Sequence, residues 1–299
     1  MTKRRVFFAA LSLAVCSLLW PGALVAQAIQ KAMYVSVVNA EGAPVPDLGT
    51  TDFIIREDNV GREVLSVEPA TEPMQIAILV DTSQAARDEI AHMRTALPGF
   101  VAALTGGAVK NDVAIIAIGE RPTVFTDYTS NRAMLQKGID RIWSVQGTGT
   151  YLLDGLVETA QGFKKRESTR PVIVSITSEG AELGNWQHDQ VIAPLKATGA
   201  AYHAITLGRA SSSLSDEMRN RNIVLDEGPR QTGGSRGELL TGMALGGKLT
   251  QLANELTHQY RVVYSRPQSL IPPEKTTVAA AKPGLTARGT VVKDKQGRP

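Results

Sequence analysis

The stretch Met74-Gln75-Ile76-Ala77-Ile78-Leu79-Val80-Asp81-Thr82-Ser83-Gln84 decides the fold. Its apolar residues run without a break from Ile76 to Val80, and an unbroken run of that length reads as a strand covered on both faces. Strands of that kind belong to parallel sheets sheathed by helices. The run stops at an aspartate followed by two hydroxyl residues, so a polar loop stands at its carboxyl end. Downstream, Ile90, Met93, Leu97, Val101 and Leu104 form a helical stripe over 85–104. Pro98 lies inside that stripe and is expected to kink or split the helix. Residues 113–118 form a second buried strand, and 133–142 and 151–163 read as helices. A strand at 172–176, a helix at 189–197, a strand at 202–207, a helix at 245–257 and a final strand at 260–264 complete the series. Strands alternating with helices at this spacing predict an α/β fold, an open, mostly parallel, doubly wound sheet.

Upstream the pattern is different. Residues 33–38 alternate with a period of two, as do 53–56 and 64–67 more briefly. Turn formers separate them: Glu41-Gly42, Pro44, Pro46-Asp47, Asp58-Asn59 and Gly61. Short strands of this kind bury little on their own and must lean on another element. Downstream, 211–237 is rich in Ser, Arg, Asn and Gly, which predicts an exposed connection with at most a short helix. Arg219 and Arg221 read there as solvated loop charges. After Pro267 one more strand is expected at 276–280, and the basic end from Lys282 is expected to be poorly ordered. The division is therefore 1–28, 29–72 as a small β segment, 73–266 as the α/β domain, and 267–299 as a strand with a basic tail. The two flanks are expected to pair as a small accessory β domain with the α/β unit inserted between them.

The first residues bear on location. Lys3, Arg4 and Arg5 precede an apolar run over 6–20, Pro21-Gly22 interrupts it, and Ala26-Gln27-Ala28 offers small residues where a signal peptidase cuts. This is the layout of a cleaved secretory signal. The interrupted run is short for the ~20 residues that span a bilayer core. A secreted or periplasmic protein is expected, cut after Ala28, with no membrane span afterwards. Cleavage removes the one cysteine and three basic residues, leaving 29 Lys and Arg against 29 Asp and Glu. A chain without net charge gives no general reason to seek nucleic acid as a partner. With no disulfide available, the hydrophobic 43% of the sequence must supply the stability.

In open α/β sheets ligands bind beyond the carboxyl ends of the strands. The loops there are Asp81-Thr82-Ser83-Gln84-Ala85, Gln146-Gly147-Thr148-Gly149-Thr150-Tyr151 and Thr177-Ser178-Glu179-Gly180. Together they resemble the three loops of a von Willebrand factor A domain, which gather a divalent metal at the sheet's edge. The family's first loop is Asp-x-Ser-x-Ser, its second carries a Gly-Thr threonine, and its third offers Asp-Gly after a threonine. The resemblance implies Asp81, Ser83 and Thr148 as ligands. Ala85 stands where the second serine belongs and Ser178 where the acidic residue belongs, with Glu179, one place later, as the substitute. Oxygen ligands suit Mg²⁺, and a site this depleted implies either no cofactor or a weakly held Mg²⁺. The flanks resemble those of bacterial secreted proteins of the same group: Asp52-Phe53, Glu57-Asp58, Gln231-Thr232-Gly233-Gly234, His258-Gln259-Tyr260 and 283–288. The implied role is adhesion-like binding of a protein partner, with Gln84, Thr150, Ser178, Trp143 and Trp186 as contact candidates.

Catalytic readings find less support. Ser83 lies in no Gly-x-Ser-x-Gly elbow, and His92, His188, His203 and His258 lack the spacing of a zinc helix. Gly147-Thr148-Gly149 opens a dinucleotide fingerprint, but Leu152 stands at its last glycine. No enzymatic activity is expected. The alternative is a hydrolase or other enzyme with an unrecognised site on the α/β domain, and a deep apolar pocket with convergent polar groups would favour it.

Overall fold

The computed structural model describes residues 28–208, 215–268 and 271–293, so the expected signal segment lies outside the described residues but for Ala28. In chain order the elements are β1 (Ala28–Val38), β2 (Phe53–Glu57), β3 (Val60–Arg62), β4 (Val64–Pro69), β5 (Gln75–Val80), α1 (Ile90–Thr105), β6 (Asp112–Ala117), β7 (Thr123–Thr129), α2 (Arg132–Asp140) and α3 (Leu152–Arg166). They continue with β8 (Pro171–Ser178), α4 (His188–Thr198), β9 (Ala201–Leu207), α5 (Asp216–Thr232), β10 (Arg236–Leu239), α6 (Leu245–Thr257), β11 (Tyr260–Pro267), β12 (Thr276–Ala280) and β13 (Thr286–Val291).

The central sheet has the order β10-β9-β8-β5-β6-β7. All its pairings are parallel except that of β7 with β6. The unbroken apolar run of β5 follows from its place in the middle. Ile76, Ile78 and Val80 point to one face, among Met93, Leu97, Leu249 and Leu252 of α1 and α6. Ala77 and Leu79 point to the other, among Leu156, Phe163, Val191 and Val224 of α3, α4 and α5. The fold is the α/β architecture expected, with antiparallel sheets added.

The flanks do pair with each other. β13, β1, β11 and β4 form a four-stranded antiparallel sheet, and β12, β2 and β3 a three-stranded one. Met33, Val35, Phe53, Ile55, Val262 and Tyr264 share one core between them. The chain leaves this unit after β4 and returns at β11. At the junction, buried Arg170 donates to Gln259 Oε1 (2.7 Å) and the Leu256 carbonyl (3.1 Å) and lies over the Tyr34 ring. Arg288 pairs with Glu255 at 2.8 Å.

Several local expectations are corrected. β11, read as the last strand of the parallel sheet, lies instead between β1 and β4. The basic end is ordered through β13, because Ala287 and Val291 pack on the flank core. Pro98 does not split α1, which runs 16 residues through it. Proline costs a helix interior about 3 kcal/mol, and buried Leu97, Val101 and Leu104 on the same helix offset that. The polar stretch 211–237 is not one long loop, since 216–232 form the 17-residue helix α5.

Candidate functional site

At the carboxyl ends of β5 and β8, neighbours at the sheet's centre, the chain turns into two polar loops. Asp81 follows β5 directly, and its N–H still donates to the Ile176 carbonyl as if the strand continued (2.9 Å). Its side chain is thereby held inside the molecule, with no exposed surface. Both carboxylate oxygens accept hydrogen bonds. Oδ1 takes the Ser83 N–H (2.8 Å), while Oδ2 takes the Ser178 N–H (2.9 Å) and the Thr177 hydroxyl (3.2 Å). One carboxylate thus ties the first loop to the third.

The other expected ligands are turned away or sealed. The Thr148 hydroxyl donates to the Val145 carbonyl at 2.8 Å. The Ser83 and Ser178 hydroxyls are buried and have no hydrogen-bond partner. Ser83 occupies the N-cap position of the 3₁₀ turn Gln84–Glu89, but its side chain makes no capping bond. The Ala85 methyl stands where a Cβ on Gly180 would meet it at 2.4 Å, so these two loops touch only because residue 180 is glycine. Glu179 is drawn toward Arg221, with Oε2 3.6 Å from Nη1.

Arg221 is the residue that sequence reasoning missed. It lies on α5, not in a loop, and has no exposed side-chain surface. Nη2 donates to the Ser178 carbonyl (2.8 Å) and to Thr177 Oγ1 (3.1 Å), whose own hydroxyl donates to Asp81. Nε lies 3.9 Å from buried Glu182. Glu182 in turn accepts from the N–H groups of Leu152, Leu153 and Gly184 at 3.3, 3.5 and 3.0 Å. Burial pushes the Glu182 carboxyl up to about 8, against the pull of Arg221 and those N–H groups. The signal available in the sequence was the spacing Met218, Arg221, Val224, Leu225, Gly228, which puts the arginine on α5's buried stripe.

A divalent ion of the kind the three-loop resemblance implies does not fit this arrangement. Mg²⁺ demands an octahedron of oxygens and keeps several waters. Here both oxygens of the one carboxylate already accept protein donors, and the Ser83 and Ser178 hydroxyl oxygens present no surface to a water molecule. Among the described residues no three His, Cys, Asp or Glu side chains gather as a ligand group. A fixed guanidinium stands one hydroxyl away from the carboxylate.

Large apolar side chains stand exposed on loops at the same edge of the sheet. Trp143 is 63% exposed, in the loop leading to α3, with the Arg94 guanidinium over its ring at 4.5 Å. Leu183 (46%), Leu240 (73%) and Met243 (77%) stand exposed on the loops after β8 and β10. Gln84 is exposed too, and its side chain accepts the Gly147 N–H (2.8 Å), joining the first and second loops. Three contact candidates are placed otherwise. Ser178 and Thr150 are buried. Trp186 is half-buried, held by its indole N–H donating to Asp154 at 2.9 Å.

Comparison with known proteins bears on the fold. Residues 75–223 match the model of the von Willebrand factor type A domain. No curated protein sequence matches the chain. Among solved structures, a von Willebrand factor type A protein from Catenulispora acidiphila is 11% identical with a TM-score of 0.51, covering 91% of this chain and 76% of its own. Proximal thread matrix protein 1 from the mussel byssus is 17% identical with a TM-score of 0.50, over 68% of this chain. The chain spans about half the length of that mussel structure, at 50%. Likenesses at this identity concern the fold alone.

Proposed function

Because residues 75–223 of this chain belong to the von Willebrand factor type A family, we propose that it is an exported protein-docking module. It grips its partner through the loops at the sheet's carboxyl edge, without a metal ion and without catalysis. The observation that carries this reading is the rim: Trp143, Leu183, Leu240 and Met243 stand exposed on loops at the carboxyl edge of a sheet whose central loops are sealed. Four large apolar side chains exposed on loops at one edge of a sheet supply the kind of aromatic and aliphatic anchors that protein contacts use. The polar groups below them support the same reading. The Ser83 hydroxyl has no hydrogen-bond partner, so no base is poised to take its proton. Export rests on the basic, apolar and small-residue layout of 1–28.

A photo-crosslinking amino acid placed at 143 or 243 of the exported protein tests the docking surface, with position 60, exposed on the accessory β unit, as control. In envelope extract containing EDTA, the same adduct is expected from both rim positions and not from the control. The adduct should be weakened at least tenfold when Trp143→Ala is added to the Met243 probe. Equal labelling at all three positions, or loss of the adduct in EDTA, overturns the proposal.

A further inference from the structure

The structure assigns to Arg221 the part that a divalent ion plays in the related three-loop sites: we infer that its guanidinium is this domain's resident cation and cross-links the loops permanently. A metal in such a site does two things. It balances the buried aspartate's charge, and it pins several loops to one point. Arg221 does both from inside the fold. Through Thr177 it is one hydroxyl removed from Asp81, and through the Ser178 carbonyl it holds the residue at which the family has its second carboxylate. Through Glu182 it reaches the N-terminus of α3, whose first amides that carboxylate accepts.

The position is built, not incidental. The side chain is wholly buried, and its helix is anchored by the Ser215 hydroxyl accepting the Met218 N–H and by Asn220 Oδ1 accepting the His188 N–H (3.1 Å). A charge without exposed surface needs partners: Nη2 hydrogen-bonds Thr177 and the Ser178 carbonyl, while Nη1 and Nε make no hydrogen bond among the described residues and face Glu179 and Glu182 at 3.6 and 3.9 Å. The inference also accounts for the two departures from the family's pattern. The guanidinium is held at 178 by the backbone carbonyl, which any residue there offers, so this contact does not call for a side-chain carboxylate. A serine hydroxyl at 85 has no ion to meet, and an alanine methyl closes against Gly180.

Thermal melting of the exported protein tests this, and it involves no partner, so its failure is distinct from failure of the docking reading. Wild type, Arg221→Lys and Arg221→Gln are melted in EDTA and in 10 mM Mn²⁺ or Mg²⁺ (roughly ten times a millimolar dissociation constant). Wild type is expected to melt at the same temperature in all three. Arg221→Gln should melt well below wild type and regain part of the loss in Mn²⁺, because the buried Asp81 carboxylate then has no guanidinium one hydroxyl away. Arg221→Lys keeps the charge, and should fall between the two without responding to metal. If Arg221→Gln does not fold, a folded, metal-insensitive Arg221→Lys supports the inference. Saturable stabilisation of wild type by either metal overturns it, as does equal loss in both variants with no metal response in either.

Discussion

Asp81 and Ser83 sit two residues apart and predict opposite outcomes. The carboxylate accepts from Ser83 N–H, Ser178 N–H and the Thr177 hydroxyl. Asp81→Ala leaves those donors buried without an acceptor, and each such group costs about 1–3 kcal/mol. A loss of roughly 2–4 kcal/mol is expected in urea unfolding, allowing for partial rescue by water. The Ser83 hydroxyl has no partner to lose. Ser83→Ala should be neutral or stabilising by up to ~1 kcal/mol. A large loss from Ser83→Ala in the same measurement would mean that the hydroxyl holds a ligand in solution.

At the scale of elements, the loops after β5 and β8 meet with no room to spare. A Cβ at Gly180 would lie 2.4 Å from the Ala85 Cβ, so Gly180→Ala is expected to cost about 1–3 kcal/mol as overpacking. Ala85→Gly in the same chain should recover most of it. A double-mutant cycle with no coupling between the two positions would place the cost elsewhere. A second element-scale effect is a pH dependence from β9. His203 is enclosed there beside Ser235, with Glu255, Arg288 and Lys248 facing it, and burial pulls its pKa from 6.5 to about 4. Between those values the unfolded chain binds a proton that the folded one refuses. Stability from this group is therefore complete above pH 6.5 and falls as pH drops toward 4, by up to ~3 kcal/mol. Replacing it by His203→Gln should flatten that limb of the stability–pH curve, measured by denaturant midpoints from pH 4 to 7.

At the scale of the whole molecule, the α/β unit is an insert in a β unit whose halves are far apart in sequence. β13 pairs with β1, and β12 with β2. Ending the chain after Pro267 strips a neighbour from each and uncovers Met33, Val35 and Ile55. A melting temperature lower by ~10 °C, with earlier aggregation, is expected from a loss of some 3–5 kcal/mol in a chain of this size. An unchanged melt would mean that β1, β11 and β4 hold the accessory unit by themselves. Arg170 and the Arg288–Glu255 pair fasten that unit to the base of the α/β unit, and the carboxyl-edge rim is left clear.

How far the sequence reaches can be judged from particular stretches. The run 76–80 was legible because a strand covered on both faces needs no partner to betray its environment. The loops at 81–85, 146–151 and 177–180 were assigned to one edge by the rule that ligand loops follow the strands' carboxyl ends and by their resemblance to the family's three loops. β7 was not legible, since an antiparallel edge strand with polar, partly exposed residues carries no strong periodicity. α5 was missed because one position of its buried stripe is Arg221, and composition cannot tell a solvated arginine from one enclosed by partners 43 and 44 residues away. β11 looks like any other buried strand, and the choice between two sheets lies in long-range register alone. By itself, then, the sequence determined the alternating α/β core and the polar loops at its edge, because both are written in short-range pattern. Only the tertiary structure decided that those loops close around an arginine, because that depends on which distant side chains share one buried volume.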